Sequence, residues 1–225
     1  VQYTLSNPSY TLHETDTFLF ASKAILATAS DDATWKMWDL PGGNLIMSGD
    51  GHKDWVAGVA FHPAGTHLAS ASGDCTVKIW DFAQKRCTVT LTEHTAAVWN
   101  AAFHGTGDYL ASCSLDHSVR LWDLHTSRCR LAFRGHVDSV NEVVWQPHTN
   151  NFATGSSDKT VSLWDMRTGL CAQTLYGHLN SGKELSPSAL TVCPYIAIYD
   201  TDTFGFYRAS EPPLLQLSRR RHRER

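Results

Sequence analysis

Serine, histidine and aspartate are the residues of a hydrolase triad, and this chain carries them at fixed distances. His52, Ser70 and Asp74 are followed by Trp80; His94, Ser112 and Asp116 by Trp122; His136, Thr154 and Asp158 by Trp164. In a triad the histidine takes the proton of the hydroxyl nucleophile while the carboxylate orients the ring. Such a site is built once in a molecule. Here the set returns three times in steps of 42 residues, and no G-x-S-x-G elbow accompanies it. The spacing points to a structural network, and no catalytic residue is expected. Thr28, Asp32 and Trp38 belong to an earlier copy. Its candidate histidine, His13, lies three residues closer than the other copies require, which shortens that unit.

Cysteine and histidine raise the question of a metal. Cys87, Cys129 and Cys171 are again 42 residues apart, so they fill one slot of successive repeats and stand too far apart to share a zinc ion. Cys75, Cys113 and Cys193 form no C-x-x-C pair. His62 and His104, also 42 apart, fall at the hairpin after the first strand of their units. Neither metal nor cofactor is expected, and six reduced thiols fit a cytoplasmic chain.

The elements that must hold these residues are strands. Val56 to Phe61 alternates, Pro63-Ala64-Gly65 signals a turn, and His67 to Ser72 reads as a second strand. Gly73-Asp74 is a tight turn, Thr76 to Trp80 a third strand and Cys87 to Leu91 a fourth. Trp-Asp dipeptides at Trp38, Trp80, Trp122 and Trp164 and the columns Gly51-His52, Glu93-His94, Gly135-His136 and Gly177-His178 keep the same step. Four short strands per repeat of this length make one blade of a β-propeller. The fold class is all-β, about four blades of four antiparallel strands.

Over about residues 13 to 178 the chain resembles the WD-repeat family. The resemblance implies that each His, Ser or Thr, Asp and Trp set is hydrogen-bonded across its blade. It also implies that partners touch the narrower face three and five residues after the His and just before the Asp. Those positions are Trp55, Ala57 and Gly73; Ala97, Trp99 and Leu115; Ser139, Asn141 and Ser157; Asp31 is the matching residue of the first unit. Trp55, Trp99, Leu115, Asn141 and Asp31 are the candidate partner-binding residues, with Trp55 and Trp99 read as an exposed aromatic pair. Trp35 aligns with Val77, and Trp145 with Phe61 and Phe103, so both are assigned to the core.

The runs Leu26 to Trp38, Gly51 to Trp55, Ser114-Leu115-Asp116, Gly135 to Asn141 and Leu175 to His178 are similar to the sperm-associated WD-repeat proteins of the ciliary central apparatus. That likeness implies a non-enzymatic scaffold on the axoneme, with axonemal or microtubule-associated protein partners and a part in motility. The alternative is a propeller that recruits substrates or partners in a ubiquitin ligase or signalling complex.

Composition adds exclusions. The 225 residues carry a net charge of −3 with 42% hydrophobic and 18% charged residues, so neither a disordered chain nor a global field for nucleic acid is expected. No run reaches the ~18 apolar residues of a membrane span. Residues 1–12 read as an N-terminal segment that could supply an outer strand of another blade, and 13–181 as the repeats, with units beginning near 13, 51, 93, 135 and 177. Residues 182–225 read as a divergent tail outside the repeat register, ending in the basic run Arg219 to Arg225. Gly182-Lys183-Glu184 can be encoded by codons containing a splice-donor sequence, which makes translated intron one explanation of that tail. Four repeats fall short of the usual ring, so further blades or a partner are expected to complete it.

Overall fold

A computed structural model describes residues 17–20, 25–179, 182–185 and 198–200. β1 (Thr17–Phe20), β2 (Ile25–Ala29), β3 (Trp35–Asp39) and β4 (Leu45–Gly49) make the first sheet. β5 (Val56–Phe61), β6 (His67–Ser72), β7 (Val77–Asp81) and β8 (Arg86–Leu91) make the second. β9 (Val98–Phe103), β10 (Tyr109–Ser114), β11 (Ser118–Asp123) and β12 (Arg128–Arg134) follow, then β13 (Val140–Trp145), β14 (Asn151–Ser156), β15 (Val161–Asp165) and β16 (Cys171–Leu175). Neighbouring strands within each sheet are antiparallel, and no helix occurs among the described residues. The four sheets are blades set side by side, the inner strands β1, β5, β9 and β13 meeting in turn, in an arc that does not close into a ring.

Local chemistry sets the turns. The aspartate of each Trp-Asp pair ends the third strand, and in blades 2 to 4 its carboxylate accepts backbone N–H groups of the following turn. Asp81 takes those of Ala83 and Gln84, Asp123 those of His125 and Thr126, and Asp165 that of Arg167. The hairpin before β6 is closed by the Gly65 N–H on the His62 carbonyl.

The core lies between blades. Ala27, Ala29, Trp35 and Met37 of blade 1 pack on Val56, Val59, Leu68 and Trp80 of blade 2. Ala69, Ala71, Val77 and Ile79 meet Val98, Ala101, Leu110 and Trp122 of blade 3. Val119, Leu121 and Phe133 meet Val143, Phe152 and Trp164 of blade 4. In each joint the tryptophan of the Trp-Asp pair closes on the preceding blade, so the repeat buries its apolar faces only through its neighbours.

Blade 1 fills its joint differently. Across β3 and β4 Trp35 stands opposite Gly49, where the later blades pair Val77 with Leu91, Val119 with Phe133 and Val161 with Leu175. A Cβ at Gly49 would run into the Trp35 indole, whose ring makes an edge contact with Trp80 at 5.4 Å between centroids. One oversized side chain thus takes the volume that two medium ones take elsewhere.

Past blade 4, β17 (Gly182–Leu185) pairs with β18 (Ile198–Asp200). Gly182 follows Val140 by the repeat length, and β17 packs on β13 and β14 as β13 packs on β9 and β10. The same irregularity of register appears at Gly182/Glu184, Val140/Glu142 and Val56/Gly58. The arc therefore runs one hairpin beyond the last Trp-Asp pair. Residues 1–12, His13 and the basic run 219–225 lie outside the described residues.

Candidate interaction face

The Ser, His and Asp sets are buried behind the loops of one face. His52 Nδ1 lies 2.9 Å from Asp74 Oδ2, His52 Nε2 lies 2.7 Å from Ser70 Oγ, and Trp80 Nε1–H donates to that oxygen at 2.8 Å. A carboxylate only accepts, so the ring proton sits on Nδ1 and the serine hydroxyl donates to Nε2. Blade 3 repeats this with His94, Asp116, Ser112 and Trp122 at 2.8, 2.7 and 2.8 Å. Blade 4 repeats it with His136, Asp158, Thr154 and Trp164 at the same three distances. Each serine or threonine oxygen is fully buried and accepts from an indole, so no substrate carbonyl can reach it.

The three carboxylates are held below the usual carboxylate range. Burial alone would raise Asp74, but hydrogen bonds from Thr76, the Lys53 N–H and His52 outweigh it and hold the carboxyl at about 2. At Asp158, burial is likewise outweighed by Thr160, His136 and the Val137 N–H, again to about 2. Asp116 lies well below the usual carboxylate range, burial being overcome by His94, Ser118 and the Thr95 N–H. Burial also lowers His52 against the pull of Asp74, which keeps the ring neutral. Blade 1 is simpler. Trp38 Nε1–H donates to Thr28 Oγ1 at 3.0 Å, the Thr28 hydroxyl turns to the Lys36 carbonyl, and Asp32 is half-exposed, accepting from Thr34.

On the surface above these networks the five candidate contact residues form one strip. The Ser30 carbonyl accepts the Val56 N–H at 3.0 Å, which sets exposed Asp31 beside Trp55. Trp55 and Trp99 face each other across blades 2 and 3 at 5.0 Å, and Trp99 Nε1–H reaches on to Ser139 Oγ of blade 4 at 2.8 Å. Ser139 Oγ donates to Asn141 Oδ1, and the Asn141 amide donates to Ser157 Oγ and to the Gly182 carbonyl. The two indoles are half-buried, wedged between blades, and do not stand free in solvent. Backbone bonds Gly73 to Trp55, Leu115 to Ala97 and Ser157 to Ser139 are equivalent, each 2.9 Å, yet the side chains above them are Trp over Gly, Leu over Ala and Ser over Ser. The large group comes from opposite strands in blades 2 and 3. Leu115 remains 43% exposed.

Two histidines do work that their sequence positions alone do not disclose. His62 Nδ1 accepts the Ala64 N–H, so Nε2 carries the proton and donates to the Gly107 carbonyl of blade 3 at 3.1 Å. His104 does the same toward the Thr149 carbonyl of blade 4 at 3.0 Å. Their rings meet Phe103 and Trp145 edge-on. The signal was present as a second pair of columns, His62 with Gly107 and His104 with Thr149, each offset by 45 residues. Burial lowers the His62 pKa from 6.5. A histidine depressed in the folded state contributes stability above its unfolded pKa that is lost as pH falls through the folded value. Protonated Nδ1 also cannot accept from Ala64. The chain should therefore lose stability from about pH 6.5 downward, and His62→Gln, which copies Gln146 of blade 4, should flatten that loss. Denaturation midpoints at pH 7 and pH 5 measure it; an unchanged slope in the variant contradicts the assignment.

Cys87, Cys129 and Cys171 lie on β8, β12 and β16 as free thiols, and no group of side chains among the described residues could hold a metal ion. No helix among the described residues is long and apolar enough to cross a membrane.

Known proteins share these repeats. The flagellar WD repeat-containing protein Pf20 of Chlamydomonas reinhardtii is 69% identical over 36 residues, 16% of this chain and 6% of that protein. The human sperm-associated antigen 16 protein is 43% identical over 43 residues, 19% of this chain and 7% of its own length. Nuclear distribution protein PAC1-2 of Postia placenta is 45% identical over 47 residues, 21% of this chain and 11% of that protein. The matched stretches thus span a small part of each relative. The family profile described as WD domain, G-beta repeat matches residues 43–81, 85–123 and 127–165. Those matches take in just over half of the chain, and it belongs to the WD-repeat family.

Proposed function

We propose that the chain is a non-catalytic scaffold of the ciliary or flagellar axoneme, binding protein partners through the strip from Asp31 to Asn141 and serving motility. The strip carries this reading. It joins a carboxylate, two indoles, an exposed leucine and a hydrogen-bonding amide on one face, the mix from which interface hot spots are made. The buried Ser, His and Asp sets hold the blades beneath it and leave chemistry to the partner. The identity to the flagellar protein Pf20 supports the axonemal setting. Completion of the arc by further blades or by a partner belongs to the same proposal.

Tagged chain expressed in ciliated cells tests the setting. Wild type should follow the axoneme, and a Trp55→Ala, Trp99→Ala variant that still folds should spread through the cytoplasm. A wild-type signal absent from cilia would overturn the axonemal part. A second reading, a scaffold for nuclear distribution, draws on the 45% identity over 47 residues to PAC1-2; perinuclear signal in place of axonemal signal would select it.

A further inference from the structure

Charge divides the strip into two ends. On the side of blades 1 and 2 the carboxylates Asp31, Asp50 and Asp54 are exposed, with Lys53 the exposed cation among them and Asp32 paired with Lys36. On blades 3 and 4 the exposed carboxylate Asp138 repeats Asp54, but exposed Arg134 stands where blade 2 has Asp50, Glu93 is paired with Arg120, and the exposed turn tips His117 and Lys159 occupy equivalent positions, both with left-handed φ. Trp99 and Leu115 lie between, and the amide of Asn141 closes the far end against Ser157. We propose that this face takes a segment of a partner protein that is cationic at one end and apolar in its middle. It would lie in one direction, with Lys or Arg against Asp31 and Asp54 and a large apolar side chain on Trp99 and Leu115. Polar groups of the segment would follow at Asn141. The inference rests on the reading of this strip as the binding face and adds the chemistry and polarity of its partner. Surface charges of this kind choose the partner and its direction, while the apolar centre holds it.

The test uses the full chain and two sets of 12-residue synthetic peptides. The sets share a central Leu-Phe pair and differ in having Lys and Arg or Asp and Glu at one end. The cationic set should bind the wild type, weaken as salt rises, and lose about tenfold or more in affinity to an Asp31→Lys, Asp54→Lys variant, which should then accept the anionic set. Equal binding of the two sets, or a charge swap without effect, overturns the inference. Leu115→Arg separates the outcomes. If it abolishes binding of both sets alike regardless of end charge, the binding face stands and its charge preference falls. If neither set binds the wild type, or binding survives Leu115→Arg, both fall.

Discussion

Replacing Asp116 with alanine should lower the thermal midpoint of the chain by about 6–20 °C, whereas the same change at Asp32 should cost about 1 kcal/mol or less. Asp116 is 7% exposed and accepts from His94 Nδ1–H, the Thr95 and Ser118 N–H groups and the Ser118 hydroxyl. Its loss strands several buried donors at once, a cost of about 3–5 kcal/mol. In a chain of this size each kcal/mol moves the midpoint by about 2–4 °C. Asp32 is half-exposed and its partners can turn to water, so its removal strands nothing. Asp116→Asn, which keeps an acceptor, should fall between. The same networks give an acid limit. Asp74 and Asp158, held at about 2, contribute stability that is complete above the ordinary value of 3.8 and lost as pH falls toward 2. Calorimetry on the two alanine variants checks the contrast; equal losses would mean that the blade 3 network holds no more than the open turn of blade 1.

The second large effect is a rescue. Gly49→Leu alone should destabilise blade 1 by about 3 kcal/mol or more, because any side chain there enters the space of the Trp35 ring. Trp35→Val alone should cost about 3–5 kcal/mol through the cavity left against Trp80 and Met37. Together they recreate the valine and leucine pair of blade 2, and the double variant should recover most of both losses. It also removes a buried indole N–H that has no partner, worth about 1–3 kcal/mol. Thermal unfolding of the three variants gives the coupling directly. Additive losses would show that Trp35 and Gly49 do not share one volume.

Much of this was legible before any coordinates. A step of 42 residues in His, Ser or Thr, Asp and Trp reports the blade because each column serves one hydrogen-bonded set within one sheet. The strands read at Val56–Phe61 and His67–Ser72 match the structure, the third is shifted by one residue to Val77–Asp81, and the fourth begins one residue earlier, at Arg86. What stayed hidden depends on contacts between columns. Trp35 aligned with valines reads as core, yet its accommodation by Gly49 needs the register of β3 on β4. Trp55 and Trp99 read as a pair, but their half-burial depends on the neighbouring blade, where Trp99 Nε1–H is tied to Ser139 Oγ. The link from His62 to Gly107 crosses blades in the same way. At Gly182 the composition departs from the repeat while the backbone still enters as an inner strand, because pairing and packing at that edge need strand geometry more than any one side chain.

The central claim is that the buried sets support and the strip binds. Capture of proteins from ciliated-cell extract by three forms of the chain tests it most directly: wild type, Leu115→Arg on the strip, and Gln173→Arg on the exposed outer strand β16. All three should fold alike. Wild type and Gln173→Arg should hold the same partners, and Leu115→Arg should lose them. Partners retained by Leu115→Arg, or lost by Gln173→Arg instead, would place binding elsewhere on the molecule and contradict the account.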